Sequence, residues 1–423
     1  MTQDISRIVS WVREIWLYWA PLINAIIIRL WSSALFLAIL YLGSRHVDAE
    51  ATAAFISLNA IFFISAAAGK LGADGLATYN SVSFRMARSA KARSLYYSTL
   101  ALALCAVPLS SLLIVVAIRL VSGKSLHLVD DWPIILGSSA FAFCQFQAAI
   151  LQAQKYTARS SLVFLVIPYA FVLASLWLPR PLHPIWMLLG LVVSCLIGHY
   201  WIARRFAGNR LLFSTRWIRK GLVYYTIGLN FYIAEWGVQL ISATFLPSAG
   251  AVIFGLGTRL SSLLAVPVNA LTGYLQPILA VHMRRREKAE IWNIYRRVVS
   301  LTMFSQAAAV ILGCAVVWFL PVVSSKFGSV ISETGWNVLL ILVAGQIFNG
   351  MTGPSGIILV MMQNSRLFVI VTTGFTVLTI AIGAYATIDH GLVALAWAIT
   401  GIIISRKVVE CAILYLYLRT QLH

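Results

Sequence analysis

The chain has 423 residues, of which 60% are hydrophobic and only 11% are charged. Soluble domains carry roughly 25% charged residues, so this composition excludes a soluble protein. Apolar stretches of about 20 residues cross a bilayer as helices, and the even alternation of a membrane β-barrel is not seen in the sequence. We therefore predict an all-α polytopic membrane protein with about 12 transmembrane helices.

The predicted spans follow one another closely along the chain. In order, they are residues 21–43, 51–80, 95–121, 133–153, 161–179, 185–203, 222–246, 250–280, 298–320, 337–362, 367–388 and 391–414. The first is too long for the apolar core of a signal peptide, so we interpret it as a retained helix. The five cysteines lie within the spans and are interpreted as small apolar side chains.

The charged loops orient the chain. Most of the 32 basic residues fall in alternate loops, whereas the opposite loops hold only Arg45, Lys124, Arg180 and Lys326. The positive-inside rule then places both termini in the cytoplasm. The net charge of +19 is spread over short clusters next to the membrane, which favours anionic lipid headgroups rather than nucleic acid as a partner.

A long basic connection divides the spans into two sets of six. We predict an N-terminal bundle over residues 1–203, a cytoplasmic linker over 204–221 and a C-terminal bundle over 222–423. The stretch ILQAQKYTAR (150–159) ends the fourth span, and the similar IILVMMQNSR (357–366) ends the tenth. Repeats of this kind commonly place the substrate at their interface.

Five charged residues lie well inside predicted spans: Arg29, Lys70, Asp74, Glu235 and Arg259. A charge at the centre of a membrane helix is expensive, so such residues face a cavity or a partner. One interpretation is ion pairing, with Glu235 and Asp74 as the partners of the three cations. The excess of cations favours the other, a central water-filled cationic cavity in which Arg29, Lys70 and Arg259 bind an anion such as phosphate.

Three further groups of residues in the spans are also interpreted: a carboxylate, the helix-breaking residues and the charges near span ends. Glu235 accepts a proton or a sodium ion during transport, or it pairs with Arg259. Pro267 and the run GPSG (353–356) remove backbone hydrogen bonds at membrane depth, which indicates hinges, with a static kink as the alternative. The hinge candidates are Pro267, Gly353, Pro354 and Gly356. Charged residues near span ends are interpreted as interfacial anchors: Arg119, Arg406, Lys407 and Glu410.

Two segments resemble a known family. They are FLPSAGAVIFGLGTRLSSLLAVPVNALTGYLQPILAVHMRRREKAEI (245–291) and NGMTGPSGIILVMMQNSR (349–366). With the six-and-six plan, they are similar to the Wzx-type polysaccharide-transporter flippases of the multidrug/oligosaccharidyl-lipid/polysaccharide exporter superfamily. The resemblance implies a V-shaped pair of bundles with alternating access. By likeness to the related lipid II flippases, it also implies that cations of the first, second and eighth spans face the cavity.

The chain departs from its relatives in two respects. It lacks the thirteenth and fourteenth spans of the lipid II flippases, and it has Arg29 in the first span, where multidrug exporters often have an acidic residue. The expected function is to move an undecaprenyl-pyrophosphate-linked oligosaccharide, an O-antigen or exopolysaccharide repeat unit, to the outer leaflet of the bacterial cytoplasmic (inner) membrane. A cation-coupled small-molecule exporter and a membrane-embedded polysaccharide polymerase remain as alternatives.

The sequence contains no ATP-binding or metal-binding motif. We therefore expect no catalytic residues, no metal and no cofactor, with transport driven by a proton or sodium gradient or by substrate supply. The expected partners are the lipid-linked oligosaccharide and membrane lipids, with a polysaccharide polymerase and a chain-length regulator as further candidates.

Overall fold

The computed structural model describes residues 24, 27–28, 30–74, 90–121, 128–154, 156–203, 216–266, 279, 282, 285, 287–319, 333–353, 355–361 and 365–419. Within these ranges every regular element is a helix and no strand occurs. Helices satisfy their own backbone hydrogen bonds, which the bilayer interior requires. The prediction of an all-α polytopic membrane protein is confirmed.

The first half of the described chain contains seven helices. They are α1 (30–46), α2 (Ala49–Gly69), α3 (Ala90–Val121), α4 (Leu128–Ala153), α5 (Thr157–Ser161), α6 (Ile167–Ser175) and α7 (Pro184–Ala203). A π-helical turn, Leu162–Val166, joins α5 to α6 directly before Pro168. Proline lacks the backbone N–H that a regular helix would use at this point.

The second half of the described chain contains six helices. They are α8 (Arg216–Phe245), α9 (Ser248–Ser262), α10 (Lys288–Phe319), α11 (Glu333–Met351), α12 (Ser355–Met361) and α13 (Ser365–Arg419). A short 3₁₀ turn, Leu263–Ala265, follows α9. Gly391 interrupts α13 with a φ of 79°, so α13 contains the last two predicted spans.

Eight of the described helices are long and apolar enough to cross a membrane. Two others, α8 and α10, coincide with the predicted seventh and ninth spans. The polar residues Asn230, Glu235 and Gln239 make α8 less apolar than its neighbours. The first predicted span is described only in part, so the total of about 12 stays a prediction.

Helix α2 lies at the centre of the packing. It contacts α3 and α4 within the first half, and α8 and α9 of the second half. Its buried residues lie on nearly every face of the helix, as expected for a helix that is apolar all round. The largest apolar core therefore includes second-half residues: Trp236, Ala251, Val252 and Leu256.

A tight turn after α2 brings the two halves into contact. Leu71 and Gly72 have φ values of 50° and 77°. A Cβ atom at Gly72 would lie 2.3 Å from the Gly221 carbonyl oxygen, so only glycine allows this approach to α8. The turn holds Lys70 and Asp74 at the boundary between the halves.

The predicted linker is described only at its C-terminal end. Helix α8 begins at Arg216, so residues 216–221 are helical, while residues 204–215 lie outside the described residues. The division into residues 1–203 and 222–423 stays a prediction.

Candidate functional site

The side chain of Arg259, in α9, lies between two aromatic rings. Its Cζ atom is 4.5 Å from the ring centre of Phe36 in α1 and 4.1 Å from the ring of Trp236 in α8. A cation over an aromatic face gains ~2 kcal/mol or more when it is shielded from water. Helices from both halves therefore stabilise this charge.

One edge of the Arg259 guanidinium has no hydrogen-bond partner among the residues that the structure describes. The Nε and Nη2 atoms are buried and donate to no acceptor among the described residues. Their N–H groups lie along the same edge of the planar group, which suits two oxygens of one carboxylate or phosphate. A buried donor left unpaired costs roughly 1–3 kcal/mol, and more when it is charged. This edge is therefore a candidate oxyanion site.

Glu235 precedes Trp236 on α8 and interacts electrostatically with Arg259. Its side chain is accessible to a molecule the size of water, although protein atoms lie close around it. No salt bridge joins Glu235 to Arg259 among the described residues. The predicted partnership of these two residues is thus an attraction without direct contact, which leaves the Arg259 edge free.

Lys70 is bound by neighbouring side chains. It is 1% exposed, and its Nζ atom lies 2.8 Å from Asp74 Oδ2. The same atom donates to Gln145 Oε1 of α4 and lies 5.9 Å from the Tyr232 ring centre. Asp74 is the fourth residue after Lys70, and the turn at Leu71 and Gly72 folds the chain back so that the two side chains meet. The pair neutralises itself, so Lys70 adds no net positive charge to the site.

Phe63 of α2 connects these two groups. Its ring stacks on Trp236 at 3.9 Å between centres with an angle of 13°, and on Tyr232 at 5.7 Å. Tyr232 and Trp236 are one turn apart on α8, a rise of about 6 Å. The Lys70 pair and the Arg259 site are therefore neighbours along one face of α8.

Polar side chains also lie behind the Phe36 ring. The Tyr169 ring packs edge-on against Phe36 with centres 5.2 Å apart, and its hydroxyl donates to Asn59 Oδ1 at 3.1 Å. Tyr169 follows the π-helical turn by three residues. Such turns re-aim the side chains that follow them and are frequent at functional sites.

Three of the predicted site residues, Arg29, Pro267 and Pro354, lie outside the described residues. Gly353 has a φ of 60°, and a Cβ atom there would lie 2.7 Å from Val299 Cγ2. The break between α11 and α12 therefore depends on this glycine. The Tyr295 hydroxyl of α10 donates to the Thr352 carbonyl at 2.9 Å and holds the same break from the other side.

Glu410 holds the start of α12. Its carboxylate is fully buried and accepts hydrogen bonds from Arg406 at 2.8 Å, Lys407 at 2.9 Å and Ser355 at 3.0 Å. A Cβ atom at Gly356 would lie 3.3 Å from Glu410 Oε2. The interpretation of Glu410 as an interfacial anchor is wrong, because two cations and a hydroxyl compensate the carboxylate inside the protein.

No group of three or more histidine, cysteine, aspartate or glutamate side chains able to hold a metal ion is found in the part of the chain that the structure describes.

Fold and site together define a polytopic helical membrane protein in which a buried cation lies where two halves meet. The chain has the fold of MATE transporters. It matches the MATE multidrug transporter DinF-BH in complex with rhodamine 6G with a TM-score of 0.68 and 16% identity over 94% of each chain. No protein-family model and no curated protein matches the chain.

Two further solved structures are similar. One is the outward-facing conformation of a multidrug resistance MATE family transporter of the MOP superfamily, with a TM-score of 0.61 and 16% identity over 94% of this chain and 95% of that one. The other is a MOP superfamily transporter from Pyrococcus furiosus, with a TM-score of 0.59 and 18% identity over 94% of this chain and 95% of that one. Identities this low establish the fold alone.

Proposed function

We propose that the protein is a transporter for an anionic amphiphile, and that its substrate is an undecaprenyl-pyrophosphate-linked oligosaccharide flipped from the cytoplasmic to the outer leaflet. The observation that carries the proposal is the unpaired Nε and Nη2 edge of Arg259, buried where helices of both halves meet. Two parallel N–H groups fit two oxygens of one phosphate.

The local charge supports an anion rather than a cation. Lys70 and Asp74 cancel, and Arg259 has no salt-bridge partner in the described structure. A positive group in a region of low dielectric attracts an anion more strongly than it would in water. Arg29 is proposed as a second cation of the same site.

The lining supports an amphiphile. Aromatic side chains from both halves surround the cation, and the Tyr169 and Asn59 pair adds a polar group nearby. A binding region of this kind combines apolar walls with a few fixed polar groups, which is typical of small-molecule sites. The oligosaccharide itself would need amide and hydroxyl groups along its route.

The setting of the proposal follows from the sequence. The protein acts in the bacterial inner membrane with both termini in the cytoplasm, and it performs no covalent chemistry. Glu235 couples transport to a proton or sodium gradient. Its carboxylate is accessible and forms no salt bridge with Arg259 in the described structure, so it is able to bind and release a proton or a sodium ion. A polysaccharide polymerase and a chain-length regulator would act on the flipped product.

A second candidate function is cation-coupled export of small molecules. The fold favours it, because its structural neighbours include a multidrug transporter in complex with rhodamine 6G. The Pyrococcus furiosus neighbour is described as having a reverse polarity of its binding pocket that suggests a different function. The sign of the charge at the site is therefore the property that separates the two candidates.

Reconstituted vesicles provide the test. A fluorescent undecaprenyl-pyrophosphate-linked oligosaccharide is added to liposomes with and without the protein, and its appearance in the opposite leaflet is followed with an impermeant quencher. We expect flipping of this lipid and none of a matched lipid with a neutral headgroup. Transport of the dye rhodamine 6G without flipping of the anionic lipid would favour the second candidate and reject the first.

A further inference from the structure

Four side chains form one continuous stack across the boundary between the halves. In order they are Phe36, Arg259, Trp236 and Phe63, with separations of 4.5, 4.1 and 3.9 Å. Phe36 and Phe63 belong to the first half, whereas the two central members belong to the second. The stack therefore crosses the boundary at both of its ends.

The same guanidinium has two different uses. Its faces contact the Phe36 and Trp236 rings, while its Nε and Nη2 atoms are buried and have no hydrogen-bond partner in the described part of the chain. An oxyanion is larger than water, so it reaches this edge only after the surrounding atoms separate. We therefore expect that an oxyanion cannot reach the Nε and Nη2 edge of Arg259 while the rings are packed against the guanidinium.

The packing beside the stack identifies where separation occurs. A Cβ atom at Gly255, one turn before Arg259 on α9, would lie 2.7 Å from Ile56 Cδ1 of α2. Helices α9 and α2 are thus in close contact between the halves. Trp236 and Arg259 both belong to the second half, so a rigid-body separation of the halves would break the contacts to Phe36 and Phe63 and keep the contact between Arg259 and Trp236.

We propose that the stack of Phe36, Arg259, Trp236 and Phe63 is a gate between the two halves, closed when the rings cover Arg259 and opened when an oxyanion binds its free edge. A ligand that binds only the open arrangement shifts the population toward it. The inference rests on the proposed function for the identity of the transported anion, but the gate itself requires only an oxyanion.

The test measures the distance between the halves. Spin labels are attached to Glu50→Cys on α2 and Ala249→Cys on α9, both exposed positions, in a variant without the native cysteines. In nanodiscs, inorganic pyrophosphate should increase the population with the longer distance. Phe36→Ala and Phe36→Leu should each increase the population with the longer distance about fivefold without any anion, because each removes one aromatic contact from the stack.

Phe143→Leu is the matched control, because the Phe143 ring contacts Tyr96 within the first half and neither residue belongs to the stack. It should leave the distance distribution unchanged. Phe36→Leu keeps an apolar side chain of similar size, so it remains informative if Phe36→Ala does not fold. An unchanged distribution, either in Phe36→Leu or in the parent protein with pyrophosphate, would overturn the gate.

The vesicle assay separates this outcome from the proposed function. If pyrophosphate and Phe36→Leu both lengthen the distance but the labelled lipid is not flipped, the gate stands and the proposed substrate is wrong. If the lipid is flipped while the distances stay unchanged, the proposed substrate stands and the gate is wrong.

Discussion

The Arg259 guanidinium carbon lies 4.1 Å from the centre of the Trp236 ring, in an apolar helix that would otherwise not tolerate a charge. The charge is covered on its faces by rings rather than neutralised by a carboxylate. This explains how the helix that begins at Ser248 keeps an arginine at membrane depth. It also leaves the hydrogen-bonding edge of the arginine for another molecule.

Loss of the carboxylate beside Lys70 should destabilise the protein. Asp74→Asn leaves a buried ammonium without its counter-ion, and we expect the free energy of unfolding to fall by about 3 kcal/mol. Lys70→Met combined with Asp74→Asn should recover part of this loss, because neither charge remains. Denaturant unfolding in detergent gives both values.

A surface pair provides the control for this experiment. Glu287→Gln removes a half-exposed carboxylate that lies 2.5 Å from His282 Nδ1 and 3.8 Å from Arg285, and because water reaches this group it should change stability by no more than about 1 kcal/mol. If the double variant at Lys70 and Asp74 were no more stable than Asp74→Asn alone, loss of the counter-ion of Lys70 would not be the reason for the destabilisation.

Glu235→Gln tests the proposed coupling. The amide has nearly the same shape but neither accepts a proton nor attracts sodium, so gradient dependence should vanish while substrate binding stays detectable. Asp389→Asn removes another exposed carboxylate, far along the chain in α13, and should leave gradient dependence intact. Gradient-driven flipping at the parent rate in Glu235→Gln would remove Glu235 from the mechanism.

Gly353→Ala should destabilise the break between α11 and α12. The φ of 60° is strained for alanine, and the added Cβ meets Val299 Cγ2. We expect a loss of about 1–3 kcal/mol in thermal or denaturant unfolding. Gly374→Ala, within α13 and with nothing within 4 Å of the added atom, should be neutral or stabilising. Equal effects of the two changes would contradict a conformational requirement at Gly353.

Thiol labelling tests the predicted orientation. Single cysteines replace Ala249 at the start of α9 and Ala289 at the start of α10, both exposed, in a background without native cysteines. An impermeant reagent outside the cell should label the first, and label the second only after permeabilisation. The reverse pattern would show that the basic loops face outward.

Some of this site is predictable from local sequence. The spacing of Lys70 and Asp74 indicates an ion pair, and the structure contains it, although the two residues meet across the turn at Leu71 and Gly72 rather than along a helix. The bond from Lys70 to Gln145 crosses 75 residues of chain, so no local pattern indicates it. Arg406 and Lys407 precede Glu410 by four and three residues, the spacings at which side chains pair along a helix. This spacing predicts the observed ion pairs, and the interpretation of Glu410 as an interfacial anchor does not take it into account.

The surroundings of Arg259 are harder to predict. Phe36 and Trp236 stand in apolar spans where aromatic residues are common, and nothing in their spacing separates a ring beside a cation from a ring beside lipid. Opposite charges in neighbouring spans predict a pair between Arg259 and Glu235. In the described structure the residue of α8 that contacts the guanidinium is Trp236, the next residue along the helix, and Glu235 forms no salt bridge with Arg259. The helical class follows from composition, whereas the site depends on how three helices pack.

Binding of undecaprenyl pyrophosphate to the purified protein in nanodiscs tests the oxyanion role of Arg259 most directly. We expect Arg259→Gln to weaken binding at least about tenfold, since hydrogen bonds to charged groups contribute ~1.5–3 kcal/mol, and Arg259→Lys to weaken it less because the charge remains. Arg45→Gln, which removes an exposed cation near the end of α1, should leave the affinity unchanged. Unaltered affinity in Arg259→Gln would contradict the account.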